Sequence, residues 1–212
     1  MNRPIESLMN KESQLMIAKL QDSVIDIIFS LDKLLLHGGT AIWRCYGGGR
    51  FSNDIDIYIS NEKVVKRIVN RISLFGERIV FNRKRKKILY YDISADNAKI
   101  SLQIKISNKK GILVSYEKID GNRTQIFSMT PENLIIEKIE TYNNRALIRD
   151  IYDIMILTRS VLDKSRIVNI MISFLSNIKR PKDEKVLKDI VYNGPVPTFE
   201  DIVEYLWRWC KI

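Results

Sequence analysis

Soft metal ligands are almost missing from this 212-residue chain: Cys45 and Cys210 are its two cysteines and His37 is its single histidine. That excludes a disulfide scaffold and a zinc cluster built from Cys and His, so any metal would be bound by oxygen. Long apolar runs are missing as well. Even VIDIIFSLDKLLL, residues 24–36, is interrupted by Asp26 and Asp32, and a membrane span needs roughly 18 to 20 uncharged residues. The opening MNRPIESLMNKESQ lacks the apolar core of a signal peptide. These absences lead us to expect a cytoplasmic protein with no membrane partner. Internal repeats and low-complexity linkers are also absent.

The chain is rich in apolar side chains and positive charge. Hydrophobic residues make up 45% and aromatic residues 9%, enough for the core of one large domain or two small ones. Lys and Arg number 35 against 25 Asp and Glu, a formal charge of +10, which attracts polyanions. The run NRKRKK at 82–87 places five basic side chains in six positions. A run this short equally fits a solvated strand end or loop.

Composition shifts near MTPEN at 129–133. Before it, short β-like runs alternate with polar turns; after it, helical periodicity dominates. The expected organisation is a core over 1–128 with N-terminal helices, and a helical part over 129–212 that completes the active site. Apolar spacing predicts one or two helices over 13–36 and another over 61–74. Strands are expected near 77–81, 87–93, 99–106 and 112–119, the first two as a hairpin tipped by the basic run. Thr130, Pro131 and Glu132 form an N-cap, a first-turn proline and a first-turn acid, so a helix starts there. Further helices are expected over 145–161, 164–179, 182–192 and 198–210.

The stretch LHGGTAIWRCYGGGRFSNDIDIYIS, 36–60, holds five of the nine glycines. RFSNDIDIYIS alternates as a strand, with Asp54 and Asp56 on one face and Cα atoms roughly 6.5 to 7 Å apart. Two carboxylates that close repel unless a cation or proton lies between them, and hard oxygen ligands at this spacing suit Mg²⁺. The bland alternative is a surface strand with its acids in solvent. Gly38 and Gly39 permit a close backbone approach, and Thr40 can cap a helix beginning at TAIWRCY, which would point free N–H groups at a phosphate. Gly47, Gly48 and Gly49 read as a flexible joint. If the strand reaches back far enough, Arg50 and Ser52 share its carboxylate face and can meet phosphate oxygens.

A second charged cluster, EKIETYNNRALIRDIYD at 137–153, interrupts an apolar stretch. Asp150 and Asp153, three apart, share a helix face, with Lys138 and Arg149 near in sequence. An exposed pair with weak ion pairs is the simple alternative. Basic groups beside half-buried acids suit a triphosphate.

Together, GGTAIWRCYGGGRFSNDIDIYI and IEKIETYNNRALIRDIYDI resemble the two motifs of the AbiEii/AbiGii toxin nucleotidyltransferases, relatives of the MenT toxins in the DNA polymerase β-like superfamily. The motifs cover about a fifth of the chain. The resemblance implies an α+β fold, a small mixed sheet flanked by helices and followed by a helical C-terminal part. It implies that Gly38, Gly39 and Thr40 hold nucleotide phosphates and that Asp54 and Asp56 bind Mg²⁺. Lys138 would contact the nucleotide, and Asp150 with Asp153 would be the acids of the later motif, beside Arg149. The implied reaction transfers a nucleotide from an NTP to an acceptor hydroxyl, such as a tRNA 3′ end, in a toxin paired with an antitoxin. The third carboxylate that superfamily members place on a neighbouring strand is missing. KISLQIKIS at 99–107 offers Gln103 and Lys105 there, and Asp92 or Asp96 would serve only with another strand order. Asp150 could then take an acidic role from the helical side. The gap keeps open a catalytically inactive scaffold that binds RNA or an antitoxin, and, further off, a simple basic helical regulator.

Overall fold

The structure is a computed structural model and describes residues 3–31 and 33–211. Its chain divides into two compact units. The first runs to Cys45 and resumes over Phe51–Met129; the second takes Tyr46–Arg50 and everything from Thr130 onward.

The first unit is built on a mixed seven-stranded sheet in the order β3-β4-β5-β2-β1-β7-β6. Its strands are β1 (Leu35–His37), β2 (Asp54–Ile59), β3 (Arg78–Arg85), β4 (Ile88–Ala95), β5 (Ala98–Ile106), β6 (Ile112–Glu117) and β7 (Arg123–Ser128). β2 runs parallel to β5, and β1 parallel to β7, while the remaining neighbours are antiparallel. Helices α1 (Glu12–Phe29), α2 (Gly38–Cys45) and α3 (Lys63–Leu74) belong to this unit. Alternation decides which face is apolar. Ile55, Ile57, Ile100, Leu102 and Ile104 are all buried, whereas Asp54, Asp56, Ser101 and Gln103 between them are half-buried.

A buried ion pair pins the helices. Asp22 of α1 accepts from Arg44 of α2, from the Tyr116 hydroxyl of β6 at 2.9 Å and from the Ile119 amide at 2.9 Å. Arg44 in turn donates its Nε to the Tyr116 oxygen at 3.2 Å and lies over the Trp43 and Tyr116 rings.

The second unit is helical: α4 (Pro131–Arg145), α5 (Ile148–Leu157), α6 (Val168–Ser176), α7 (Leu187–Ile190) and α8 (Phe199–Lys211). α4 packs on α5, and α8 on α5 and α6. As expected, the Thr130 hydroxyl caps α4, accepting from the Asn133 amide at 3.3 Å. Residues 46–50 are stitched to this unit by the amides of Tyr192 and Asn193, which donate to the Gly49 carbonyl at 3.0 and 3.3 Å.

Several boundaries differ from expectation. The helix expected over 13–36 ends at Phe29 and gives way to β1, because the apolar run Leu34–Leu36 fits a buried strand as well as a helix. Asp32, within that span, lies outside the described residues. β7 was not anticipated. The expected hairpin forms, β3 with β4, and the basic run reaches its tip, but only Lys86, with φ +54°, and Lys87 make the turn, while Asn82 to Arg85 belong to β3. Gly49 is no loose joint, since a Cβ there would come within 2.5 Å of the Asn193 carbonyl oxygen and 2.9 Å of the Tyr152 hydroxyl.

Candidate active site

The carboxylate pair stands at the start of β2. β1 and β5 flank that strand, so the register sets His37 opposite Asp56 on one side and Gln103 opposite Asp56 on the other. Residues directly opposite share a face. His37 stacks on Tyr58 with ring centroids 3.9 Å apart, and the ammonium groups of Lys105 and Lys109 lie 5.4 and 5.0 Å from the Tyr58 ring. Two acids and a cluster of cations and rings therefore occupy one side of the sheet. His37, Lys105 and Lys109 were not singled out from sequence as site residues, because only the sheet's strand order brings them beside Asp56 and Tyr58, whereas Tyr58 shares the Asp56 face by alternation along β2.

Gly38 is demanded by the same geometry. Its φ is +73°, open mainly to glycine, and a Cβ there would occupy the position of the Asp56 carboxylate. The turn thus packs directly against the second acid. Thr40 behaves differently from expectation: α2 begins at Gly38, and the Thr40 side chain, fully buried, donates to the Asp54 carbonyl. Its hydroxyl fixes the strand rather than capping a helix or facing a phosphate. Gly39 sits in the first turn of α2 and is half-buried.

Across β5, no carboxylate stands opposite Asp54 or Asp56. β5 is the neighbour of β2, and Ser101, Gln103 and Lys105 stand opposite Asp54, Asp56 and Tyr58. Asp92 lies one strand further out, opposite Ser101. It is engaged by Lys99 at 3.0 Å and by the Asn82 amide at 3.2 Å, partners that hold its carboxyl below the usual range. Asp96 occupies the β4–β5 turn with φ +48°. Among the described residues no three Asp, Glu, His or Cys side chains form a metal cluster. Asp54, Asp56 and the Gln103 amide are nevertheless all oxygen donors of the kind a hard divalent cation takes, and two carboxylates with such a neighbour fit one ion.

In the second unit, α4 and α5 bring Lys138, Asp150 and Asp153 together, as their spacing predicts. The Lys138 ammonium lies 2.7 Å from Asp153 and 3.2 Å from Asp150. Arg50 joins them. Strand β2 starts at Asp54, so Arg50 and Ser52 precede it and do not extend its carboxylate face. The Arg50 guanidinium instead closes on Asp153 through two hydrogen bonds of 2.6 and 2.5 Å. Ser52 offers its carbonyl to the Gln21 amide at 2.9 Å. Arg145, overlooked in the sequence, grips Asp150 with two bonds of 2.8 Å. Arg149 makes none of these ion pairs, and its Nε is buried without a hydrogen-bond partner among the described residues.

Each carboxylate of this cluster is shared by two cations. Burial pushes the Asp153 carboxyl up, but Arg50 and then Lys138 outweigh it and hold the group below the usual range. Asp150 is wholly buried, and both of its oxygens are engaged. Its carboxylate holds Lys138 and Arg145 in place.

A mixed sheet with two carboxylates on alternate positions of a central strand, and a glycine turn packed on the second, defines a nucleotidyltransferase-type fold. Residues 24–204 match the family model of the nucleotidyl transferase AbiEii toxin of type IV toxin–antitoxin systems, and the chain belongs to that family of nucleotidyltransferases. The family implies an NTP substrate and an antitoxin partner. Among solved structures the chain is similar to MenT4, a nucleotidyltransferase toxin of Mycobacterium tuberculosis H37Rv: 14% identity, 93% of this chain and 82% of that one, TM-score 0.66. It is also similar to JHP933 of Helicobacter pylori, at 18% identity over 95% and 91% of the two chains, with a TM-score of 0.62. A more distant likeness is to the antibiotic-resistance factor ANT(2″)-Ia, at 14% identity over 75% and 93%, with a TM-score of 0.52. No curated protein matches the chain. Among the described residues no helix is long and apolar enough to cross a membrane.

Proposed function

We propose that the chain is a Mg²⁺-dependent toxin that transfers a nucleotide from an NTP to the 3′-terminal hydroxyl of an RNA, tRNA among the candidates. The observation that carries this is the Asp54 and Asp56 pair on one face of β2, with Gly38 packed against Asp56. In the reaction the acceptor oxygen forms a bond to the α-phosphorus as the bond from that phosphorus to the β-phosphate oxygen breaks. Pyrophosphate leaves with the electron pair, and the acceptor proton passes to solvent. Asp54 and Asp56 would hold the Mg²⁺, which would supply positive charge for the negative charge developing on the phosphoryl group. The turn at Gly38 and Gly39 offers backbone amides to phosphate oxygens. In the second unit Lys138, which by the family resemblance would contact the nucleotide, is held between two carboxylates with its side chain 10% exposed, and these neighbours fix where its charge is presented.

Incubation with labelled NTPs, Mg²⁺ and total tRNA tests the reading, with Asp56→Ala as control. Label transfer that the substitution abolishes supports it. No transfer from any NTP, with RNA binding retained, favours the inactive scaffold, a reading that rests on Gln103 standing where a third acid is expected.

A further inference from the structure

The register of the sheet places far more on the Asp54 and Asp56 face than the two acids. Opposite residues run in rows across the strands, and one row reads His37, Asp56, Gln103, Tyr90, Arg83 from β1 to β3. The next row reads Tyr58, Lys105, Ile88, Arg85. From Asp56 to Arg83 is three strand spacings, about 14 Å. Gln103, Lys105 and Tyr90 are half-buried, whereas Arg83 and Arg85 are exposed. The Arg83 guanidinium lies 4.9 Å from the centre of the Tyr90 ring.

The basic run is therefore split by the pleat. Arg83 and Arg85 share the carboxylate face, while Lys84, opposite Leu89, turns to the other side, where its ammonium is 3.9 Å from Glu62 at the start of α3. A bulge at Asn82, where the register shifts between Phe81 and Arg83, sets which residues fall on which side.

We propose that this face is a track for single-stranded RNA, which leads a 3′ end inward from Arg83 and Arg85, past Tyr90, to Asp56. The arginines bind backbone phosphates, and the paired Arg83 and Tyr90 planes form a platform on which a base stacks. Rings alternating with cations match the bases and phosphates of a single strand, and the formal charge of +10 complements its phosphates. The binding surface stands on the register alone; only the direction of travel toward Asp56 rests on the nucleotidyltransferase reading. Charge on an edge strand also guards against edge-to-edge pairing, but that role makes Lys84 and Arg85 equivalent.

The test uses the full-length protein and a short, fluorescently labelled single-stranded RNA, with anisotropy read without NTP or Mg²⁺. Arg83→Glu combined with Arg85→Glu is expected to weaken binding at least about tenfold and to flatten the dependence of log affinity on log salt by roughly 1.4, about 0.7 per lost phosphate contact. Arg85→Glu and Lys84→Glu change the charge equally, yet the first is expected to weaken binding severalfold and the second by less than about twofold. Unchanged thermal midpoints verify that the variants fold. Equal losses for Arg85→Glu and Lys84→Glu, or no loss for the double variant, overturn the proposal. So does displacement of the RNA by polyglutamate at equal charge concentration, which would mark an acidic-protein surface. Asp56→Ala is expected to keep RNA binding while losing nucleotide transfer. Failure of transfer in the unmodified protein, with the face-specific binding intact, would sink the enzymatic reading and leave the track standing.

Discussion

Each unit of the molecule buries an Arg–Asp pair, but the two pairs are built differently. In the first unit Asp22 faces Arg44 and the Tyr116 hydroxyl, one acid to one cation, and the Arg44 side chain has no exposure at all. In the second, Arg50, Lys138 and Arg145 share Asp150 and Asp153, and the Lys138 and Arg145 side chains retain 10% and 39% exposure. The first cluster is closed and ties three elements together. The second keeps cations at a surface where an anion can meet them, so part of its electrostatics remains available for binding.

Removing one acid from either cluster should give the largest effects. Asp22→Ala and Asp153→Ala each leave a buried guanidinium without its partner, and each is expected to cost about 3 to 5 kcal/mol in urea unfolding. The comparison sharpens when both partners go. Asp22→Leu with Arg44→Met should recover only part of that stability: no unpaired charge is left buried, but the Tyr116 hydroxyl and the Ile119 amide lose their acceptor. NTP binding should survive it. If this double variant abolishes NTP binding while folded, the first cluster is not purely structural and the contrast breaks.

Lys138→Met probes the other side. Asp150 keeps Arg145 and Asp153 keeps Arg50, so the fold should hold, while NTP affinity measured by calorimetry should fall by roughly 1.5 to 3 kcal/mol, the value of a charged hydrogen bond. Unchanged affinity would make the second cluster as closed as the first.

Much of this was legible in the sequence, for reasons that differ by distance along the chain. The β2 strand, the start of α4 and the Lys138, Asp150 and Asp153 grouping follow from periodicity and capping within a few turns. A neighbouring strand over 99–107 offering Gln103 and Lys105 was also expected, while its register, with Gln103 opposite Asp56, is set by the fold. The destination of Arg50 was not, because its partner lies 103 residues away. Nor were the Asp22–Arg44–Tyr116 cluster or the row from Asp56 to Arg83, since the first depends on how two helices meet β6 and the second on which strands adjoin. A bulge of one residue decides the faces of the basic run, and composition carries no trace of it.

The two clusters should also respond to opposite ends of the pH scale. The Asp153 carboxyl is depressed by its cations against burial, and Glu132 is depressed by backbone amides against burial. Depressed groups contribute stability that is complete above their unfolded values of about 3.9 and 4.3 and disappears as pH falls through the lower folded values. Burial pushes the Tyr116 phenol up, with Arg44 opposing. A raised group contributes below its unfolded value of about 10 and loses that contribution as pH rises through the folded one. Tyr142, raised by burial in the second unit, adds to the alkaline limb. Circular dichroism should therefore show stability falling below about pH 4 and above about pH 10. Tyr116→Phe should soften only the alkaline loss, and an effect on the acid limb would count against the assignment.

The smallest effect separates burial from charge as the source of all these differences. Arg208 and Glu204 of α8 form an ion pair of 3.3 Å, with both side chains 68% exposed. Water screens such a pair, and holding two long side chains in register costs entropy, so Arg208→Ala should shift unfolding by less than about 0.5 kcal/mol. Its urea midpoint should overlay that of the unmodified protein. A loss comparable to Asp153→Ala would mean that net charge, not the loss of a buried partner, governs stability here, and the distinction between the two clusters would lose its physical basis.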